Sequence, residues 1–498
     1  MRSIKNFLSK TPTGIEGLDE VTNGGLPAGR TTLVCGSAGS GKTVLGLEFL
    51  VHGIEEYGEP GVFVAFEETE KDLRQNVASF GYDLEKLQDE GKLSIDHIVI
   101  ERSEIEETGE YDLEGLFIRL GCAVDAIGAK RVVLDTIEVL FSGLKNQQII
   151  RAELRRLFRW LKDRGLTAIV TGERGDGQLT RYGLEEYVAD CVILLDHRVT
   201  EQLSTRRLRI VKYRGSLHGT DEYPFLMGED GISVLPITSV GLTHTASKER
   251  ISTGVADLDG MVGGKGFYRG SSILVSGTAG TGKSSLSMTF LKAACERGER
   301  ALYFSFEESK DQVIRNMASI GLDLKPWIDK GLLHFHNVRP SSLGLEAHLA
   351  SMHQIIKRVD PKVVVVDPIT NLISSTDNSG VKSMLTRLVD FLKMKQITAM
   401  FTHLSSDGTA LESMEEKVSS IMDAWILLRD VEHEGQRSCA LYVLKSRGMA
   451  HSREMRDFVL TDHGIRLGDN YMKGRNSGKK QHGAHAGAKR ASSVKRAR

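Results

Sequence analysis

Cysteine is scarce in this chain. The five cysteines among 498 residues, Cys35, Cys122, Cys191, Cys295 and Cys439, are scattered, with no Cys-x2-Cys pair. That pattern offers neither the ligand spacing of a zinc site nor a disulfide framework, and it suits a reducing compartment such as the cytoplasm. Long apolar runs are missing too. No stretch is long enough to span a bilayer, and Met1-Arg2-Ser3-Ile4-Lys5-Asn6 lacks the apolar core of a signal peptide. A cytoplasmic protein with no membrane partner is the expectation. Net charge is almost absent, at −1, but it is unevenly spread. Residues 473–498 carry nine Lys or Arg and no acid, which leaves −10 for the remainder. A body that bound nucleic acid would usually show the opposite sign, so DNA is not an expected partner.

Glycine, by contrast, is placed where chemistry needs it. Gly36-Ser37-Ala38-Gly39-Ser40-Gly41-Lys42-Thr43 reads G-x4-G-K-T, between an apolar β-like stretch (Thr32-Leu33-Val34-Cys35) and a helical pattern from Val44 to Leu50. Such a loop lets the backbone N–H groups around Gly39, Ser40 and Gly41 converge on a phosphate at a helix N-terminus. Lys42 would reach the β- and γ-phosphates of ATP, and Thr43 would hold Mg2+ through its hydroxyl. A glycine-rich turn before a helix would look similar over so few residues. The motif recurs, however, as Gly277-Thr278-Ala279-Gly280-Thr281-Gly282-Lys283-Ser284, with Lys283 lying 241 residues after Lys42. Gly280, Thr281, Gly282, Lys283 and Ser284 then form a second phosphate cradle, with Ser284 on a second Mg2+. Repetition of the loop together with its context predicts two copies of one nucleotide-binding domain.

The copies match along their length. Val62-Phe63-Val64-Ala65-Phe66 ends in Glu67-Glu68, and Leu302-Tyr303-Phe304-Ser305-Phe306 ends in Glu307-Glu308. Apolar strands close on Asp135 and on Asp367, which fit the aspartate that supports Mg2+ in P-loop enzymes. Near-continuous apolar runs of this kind predict parallel strands buried on both faces, so each half reads as a doubly wound α/β domain. The expected fold class is α/β, with two tandem P-loop NTPase domains over residues 1–240 and 241–472 and a disordered basic tail over 473–498. Late in each half comes Lys212-Tyr213-Arg214 with His218, repeated as Lys445-Ser446-Arg447 with His451. On a strand the Lys and Arg of each pair point the same way. Cations placed there can serve a neighbouring subunit's γ-phosphate as arginine fingers do.

Taken together, these residues resemble the circadian clock protein KaiC family, over about residues 10–470. The resemblance implies RecA-like domains in a double-ring homohexamer with ATP between adjacent subunits. It further implies a slow ATPase in the first ring and a serine autokinase and autophosphatase in the second. Glu67 and Glu68 would be the catalytic carboxylates of the first ring and Glu307 and Glu308 those of the second, with Glu307 the general base. Lys212, Arg214, His218, Lys445, Arg447 and His451 would contact nucleotide across the interface. Phosphate would go to Ser419 and Ser420, which precede Ile421-Met422-Asp423 where the family carries its acceptor pair. There are departures: the clock proteins have Ser-Thr at this pair and a threonine where Met414 stands here. The C-terminus lacks the apolar loop and tail that engage KaiA, so regulation by KaiA is not expected. The stretch Glu107–Leu113 resembles the loop on which KaiB docks, and a KaiB-like partner is expected. The competing expectation is a RecA- or RadA-like DNA-dependent ATPase of recombination or repair, which the basic tail alone favours.

Overall fold

The apolar runs become the inner strands of two sheets, where burial on both faces calls for apolar residues at every position. In the computed structural model the described residues are 8–99, 113–141, 146–175, 177–181, 183, 185–200, 203–236, 246–339, 344–373, 378–405, 418–433 and 436–470. Residues 107–112, Met414 and the basic segment 473–498 lie outside them. Contacts gather the chain into two units, Met1–Val240 with Ser341–Ile355, and Gly241–Pro340 with Ile356–Arg498.

The first sheet comprises β1 (Thr31–Gly36), β2 (Gly61–Ala65), β3 (Leu93–His97), β4 (Arg131–Asp135), β5 (Thr167–Glu173), β6 (Cys191–Thr200), β7 (Leu203–Tyr213), β8 (Glu222–Gly228) and β9 (Gly231–Val234). Their order across the sheet is β3-β2-β4-β5-β1-β6-β7-β8-β9. From β3 to β6 neighbours run parallel, and from β6 to β9 they run antiparallel. The second sheet comprises β10 (Ser272–Gly277), β11 (Ala301–Ser305), β12 (Leu333–Asn337), β13 (Val363–Asp367), β14 (Thr398–Leu404), β15 (Ala424–His433), β16 (Gln436–Ser446), β17 (Arg456–Thr461) and β18 (Gly464–Asn470). Its order, β12-β11-β13-β14-β10-β15-β16-β17-β18, repeats the first strand for strand. Both sheets are therefore mostly parallel, as the sequence predicts, with an antiparallel meander on one side. The cause is the connection: β6 and β7 pair from Thr200 and Leu203 onward, and a link that short allows only an antiparallel partner, since a parallel one needs a long crossover.

Helix α1 (Lys42–Tyr57) follows β1, and α2 (Lys283–Glu296) follows β10. Strand residues alternate between two cores, as period 2 dictates. In the first copy Phe63, Val133, Ile169 and Ile193 pack with Leu45, Phe49 and Leu50 of α1. Val62, Val64, Val132, Leu134 and Val170 turn to the other face, against Leu116 and Leu120 and against Leu154, Leu157 and Leu161. The last three belong to the helix Gln147–Asp163, whose apolar residues recur at helical spacing and whose N-terminus is capped by Asn146 accepting from the Gln148 amide at 2.9 Å.

A carboxyl group sits deep inside the first core. Glu48 of α1 is 1% exposed, and its Oε1 accepts from the Ile232 amide at 2.8 Å. Burial pushes its carboxyl up to about 7, and that amide and the Tyr82 hydroxyl offset only part of the rise. An acid whose folded value exceeds its unfolded one favours the fold when protonated. Its contribution is therefore complete below about pH 4.5 and is lost as pH rises toward 7. Glu48→Gln keeps the acceptor and removes the ionisation. It should stabilise the protein by roughly 1–3 kcal/mol at pH 8 and by little near pH 4.5. Calorimetric scans at the two pH values check this, and an equal difference at both would exclude ionisation as the cause.

Candidate nucleotide sites

Both P-loops lie at the carboxyl end of a central parallel strand, where ligands bind open α/β sheets. The first loop leaves β1 at Gly36 and enters α1 at Lys42. A Cβ on Gly36 would stand 2.6 Å from the Leu195 carbonyl, and one on Gly277 would stand 2.4 Å from that of Leu428, so neither position admits a side chain. Gly41 and Gly282 enter their helices with φ of 100° and 88°, the left-handed region that turns the loop around its amides. Lys42 Nζ donates to the carbonyls of Gly36 and Ser37, each at 3.1 Å. Lys283 Nζ donates to Gly277 and Thr278 at 2.8 and 2.7 Å. Burial lowers the Lys283 ammonium from its usual value, against the pull of Asp367 and Glu307. Each lysine thus lies folded along its own loop.

The expected aspartates close each cradle. Asp135 and Asp367 are 7% and 6% exposed. Thr43 donates to Asp135 Oδ2 at 2.8 Å, and Thr171 donates to Oδ1. Burial holds the Asp135 carboxyl above its usual range even with those bonds. Thr402 donates to Asp367 Oδ1 in the same way, but Asp367 Oδ2 takes the Tyr303 hydroxyl at 2.6 Å. The donor set is all oxygen, from hydroxyl and carboxylate, which fits a hard cation such as Mg2+. Among the described residues no three His, Cys, Asp or Glu side chains are grouped to hold a metal unaided.

Glu67 and Glu307 face outward past the ends of β2 and β11, while Glu68 and Glu308 are half-buried. Glu68 and Glu308 accept from Asn76 and Asn316 at 3.2 and 2.9 Å. Desolvation raises the Glu67 carboxyl, and the charges of Glu173 and Asp135 add to it. Glu307 accepts from Asn371 Nδ2 at 3.0 Å. Around the second loop lies a cleft of about 540 Å3 bordered by Lys283, Ser284, Tyr303, Glu307, Glu308 and Asp367. All the P-loop, carboxylate and aspartate residues expected from the sequence thus converge, copy by copy. Others join them that sequence reasoning missed: Thr171, Thr402, Glu173, Asn371 and Tyr303. Glu173 ends β5 and its counterpart Leu404 ends β14, so this acid is present in one copy only.

The repeated cations go elsewhere. Lys212 donates to the carbonyls of Glu186 and Ala189 at 2.8 and 2.6 Å, and Arg214 approaches Asp190 at 3.8 Å. Lys445 donates to the Ser419 carbonyl at 2.7 Å and Arg447 to that of Ser420 at 2.8 Å. His218 Nδ1 lies 2.9 Å from the Gly219 carbonyl, and His451 is half-buried in the turn after β16. Each Lys and Arg of a pair does reach the same segment. That segment precedes β6 or β15, at the amino end of the parallel strands: the Asp423 amide donates to Ser272, the first residue of β10. The P-loop begins at the other end of β10, five residues on. At about 3.3 Å per residue, roughly 17 Å of strand separates Ser419 and Ser420 from the P-loop of their own subunit. Ser419 is 8% exposed, whereas Ser420 is open to solvent.

The family model described as KaiC ATPase matches residues 11–239 and again 251–471. The circadian clock protein KaiC2 of Synechocystis sp. is 57% identical over 467 residues, which cover 93% of this chain and 82% of that protein. The circadian clock oscillator protein KaiC of Prochlorococcus marinus subsp. pastoris is 38% identical, over 94% of this chain and 93% of its own. That of Acaryochloris marina is 39% identical, over 92% and 88%.

Proposed function

This chain belongs to the KaiC family of ATPases, and from that premise we propose that it is an ATP-driven timing or stress-signalling switch that phosphorylates and dephosphorylates Ser419 and Ser420. In this reading the first copy hydrolyses ATP with Glu67 and Glu68, and the second transfers the γ-phosphoryl group to serine. Thr43 and Asp135 would hold Mg2+ in the first copy, and Ser284 and Asp367 in the second, where it would offset phosphate charge. The serine oxygen attacks phosphorus as Glu307 takes its proton, and Lys283 offsets charge on the departing ADP oxygens. Dephosphorylation either runs this transfer backward onto ADP, re-forming ATP, or passes the phosphoryl group to water and releases inorganic phosphate.

The observation that carries the proposal is the separation of donor from acceptor. The serines, with Lys445 and Arg447, stand at the end of the sheet away from their own P-loop. A γ-phosphate therefore reaches them only from another subunit, docked head to tail. Such heterologous contacts close into rings, which supports a homohexamer with nucleotide between subunits. Lys212 and Arg214 hold the equivalent place in the first copy. Ser420, the exposed acceptor, takes phosphate first, and Ser419 follows once the segment has loosened. A KaiB-like partner on the first domain and a cytoplasmic location complete the reading. The family match over both copies favours it above a DNA-dependent ATPase.

Mixing separates transfer between subunits from transfer within one. Lys283→Ala protein incubated alone with ATP and Mg2+ should gain no phosphate at 419 and 420. Mixed with a Ser419→Ala/Ser420→Ala partner that keeps its P-loop, the Lys283→Ala chains should be labelled at those serines, within particles of six-subunit native mass. Phosphosite mapping that finds no label on Lys283→Ala chains in the mixture would refute the proposal.

A further inference from the structure

The two cation sites differ by a hydroxyl on a buried aromatic ring and by a methyl group on the P-loop residue. Phe63 of β2 pairs with Val133 of β4, and Tyr303 of β11 pairs with Val365 of β13 at the same register position. Both rings are buried, and the Tyr303 ring stands edge-on to Phe335 with centroids 5.7 Å apart. The second copy adds only the phenol oxygen, and with it the wiring of the site changes. In the first copy the P-loop hydroxyl of Thr43 donates directly to the carboxylate of Asp135. In the second, it is Tyr303 that donates to Asp367 Oδ2, at 2.6 Å, in the place that the P-loop hydroxyl takes in the first copy. Ser284 also lacks the methyl group that Thr43 carries.

We propose that Tyr303 is a positioning residue that weakens the second site's hold on its divalent cation, so that the two sites of one chain fill at different Mg2+ concentrations. The inference rests on reading Ser284 and Asp367 as the cation side of a nucleotide site. A P-loop hydroxyl ligates the ion through its oxygen while its proton remains free to donate. In the first copy that proton goes to a carboxylate, and the charge-assisted bond leaves the Thr43 oxygen electron-rich. In the second copy the phenol already donates to Asp367 Oδ2, so the Ser284 proton does not have that carboxylate oxygen to itself and the Ser284 oxygen gains less. Asp367 Oδ2 is itself occupied, so a metal-bound water that would bond to it has to displace or share the phenol proton. Both effects act in one direction.

The test uses the full chain, a non-hydrolysable ATP analogue, and Mn2+ as the probe, with free Mn2+ read by electron paramagnetic resonance. Wild-type protein should show two classes of site in equal number, separated about tenfold in affinity, which corresponds to one hydrogen-bond-sized difference of about 1.4 kcal/mol. Tyr303→Phe should raise the weaker class toward the stronger one. Phenylalanine already packs at this position in the first copy, so the variant is expected to fold. Phe63→Tyr should move the stronger class down. A single class in the wild type, or two classes unmoved by Tyr303→Phe, would overturn the proposal. Binding of only one Mn2+ per chain, unaltered by Lys283→Ala, would instead show that the second copy is not a nucleotide site and remove the reading beneath it.

Discussion

Glu307→Gln should lower phosphate incorporation at Ser419 and Ser420 by about a hundredfold or more, while nucleotide binding and assembly persist. Glutamine keeps the length of the side chain and an oxygen to accept from Asn371, so the hydrogen bond that orients Glu307 survives. What goes is the capacity to take the serine proton. Glu308 is a poor substitute: its side chain is held by Asn316, and its backbone is tied to the Ser305 hydroxyl at both N–H and C=O. Glu307 reaches outward at the carboxyl end of the sheet, where the acceptor of an adjacent subunit would arrive. Mass spectrometry of phosphopeptides after incubation with ATP, with native mass measured in parallel, decides the matter. Unchanged incorporation in Glu307→Gln would remove Glu307 as the base, and phosphate mapping to other residues would remove the acceptors.

Lys42→Ala should abolish ATP-driven assembly, while Lys283→Ala should leave most of the six-subunit particle intact. A ligand bound between subunits stabilises their association by RT ln(1 + [L]/Kd), about 2.7 kcal/mol per site at a hundredfold excess over Kd. Lys42 lies along the first P-loop beside the carbonyls of Gly36 and Ser37, ready to swing onto phosphate. Without it the first site would lose its main cation for the β- and γ-phosphates, and every interface of the proposed ring would lose that term together. The resemblance to KaiC assigns assembly to this ring and phosphoryl transfer to the other, hence the asymmetry between the two lysines. Native mass spectrometry with and without ATP would measure it. Equal masses for wild type and Lys42→Ala in both conditions would contradict the assignment.

Much of each site was readable because its chemistry is local. A P-loop is eight consecutive residues whose amides point inward on account of their own backbone conformation, so its sequence states its geometry. Asp135 and Asp367 were legible as the last residues of apolar strands, and Glu67, Glu68, Glu307 and Glu308 as acids just past the end of another. In a parallel sheet the ends of neighbouring strands share one edge, which brings these residues together without further information. Internal duplication did the rest, since a pattern that recurs with its context is hard to attribute to chance. The antiparallel meander was less visible, because β6, β7, β15 and β16 are as apolar at their inner ends as the parallel strands beside them.

Other relations exist only in three dimensions. Tyr303 lies 64 residues from Asp367, and read along the chain it is one more aromatic in an apolar strand. Its hydroxyl gains meaning only because β11 and β13 are neighbours in register. Thr171 and Thr402 read as ordinary strand residues until β5 and β14 carry them beside the aspartates. The Lys-x-Arg pairs were visible as a repeat, but the contacts of Lys445 and Arg447 with the Ser419 and Ser420 carbonyls depend on β16 doubling back along β15. Sequence by itself determined that this chain holds two phosphate cradles, because the loop makes its own binding surface. Which end of the sheet holds the serines was decided by strand direction, a property of the folded chain, and that direction sets them apart from the P-loop of their own subunit.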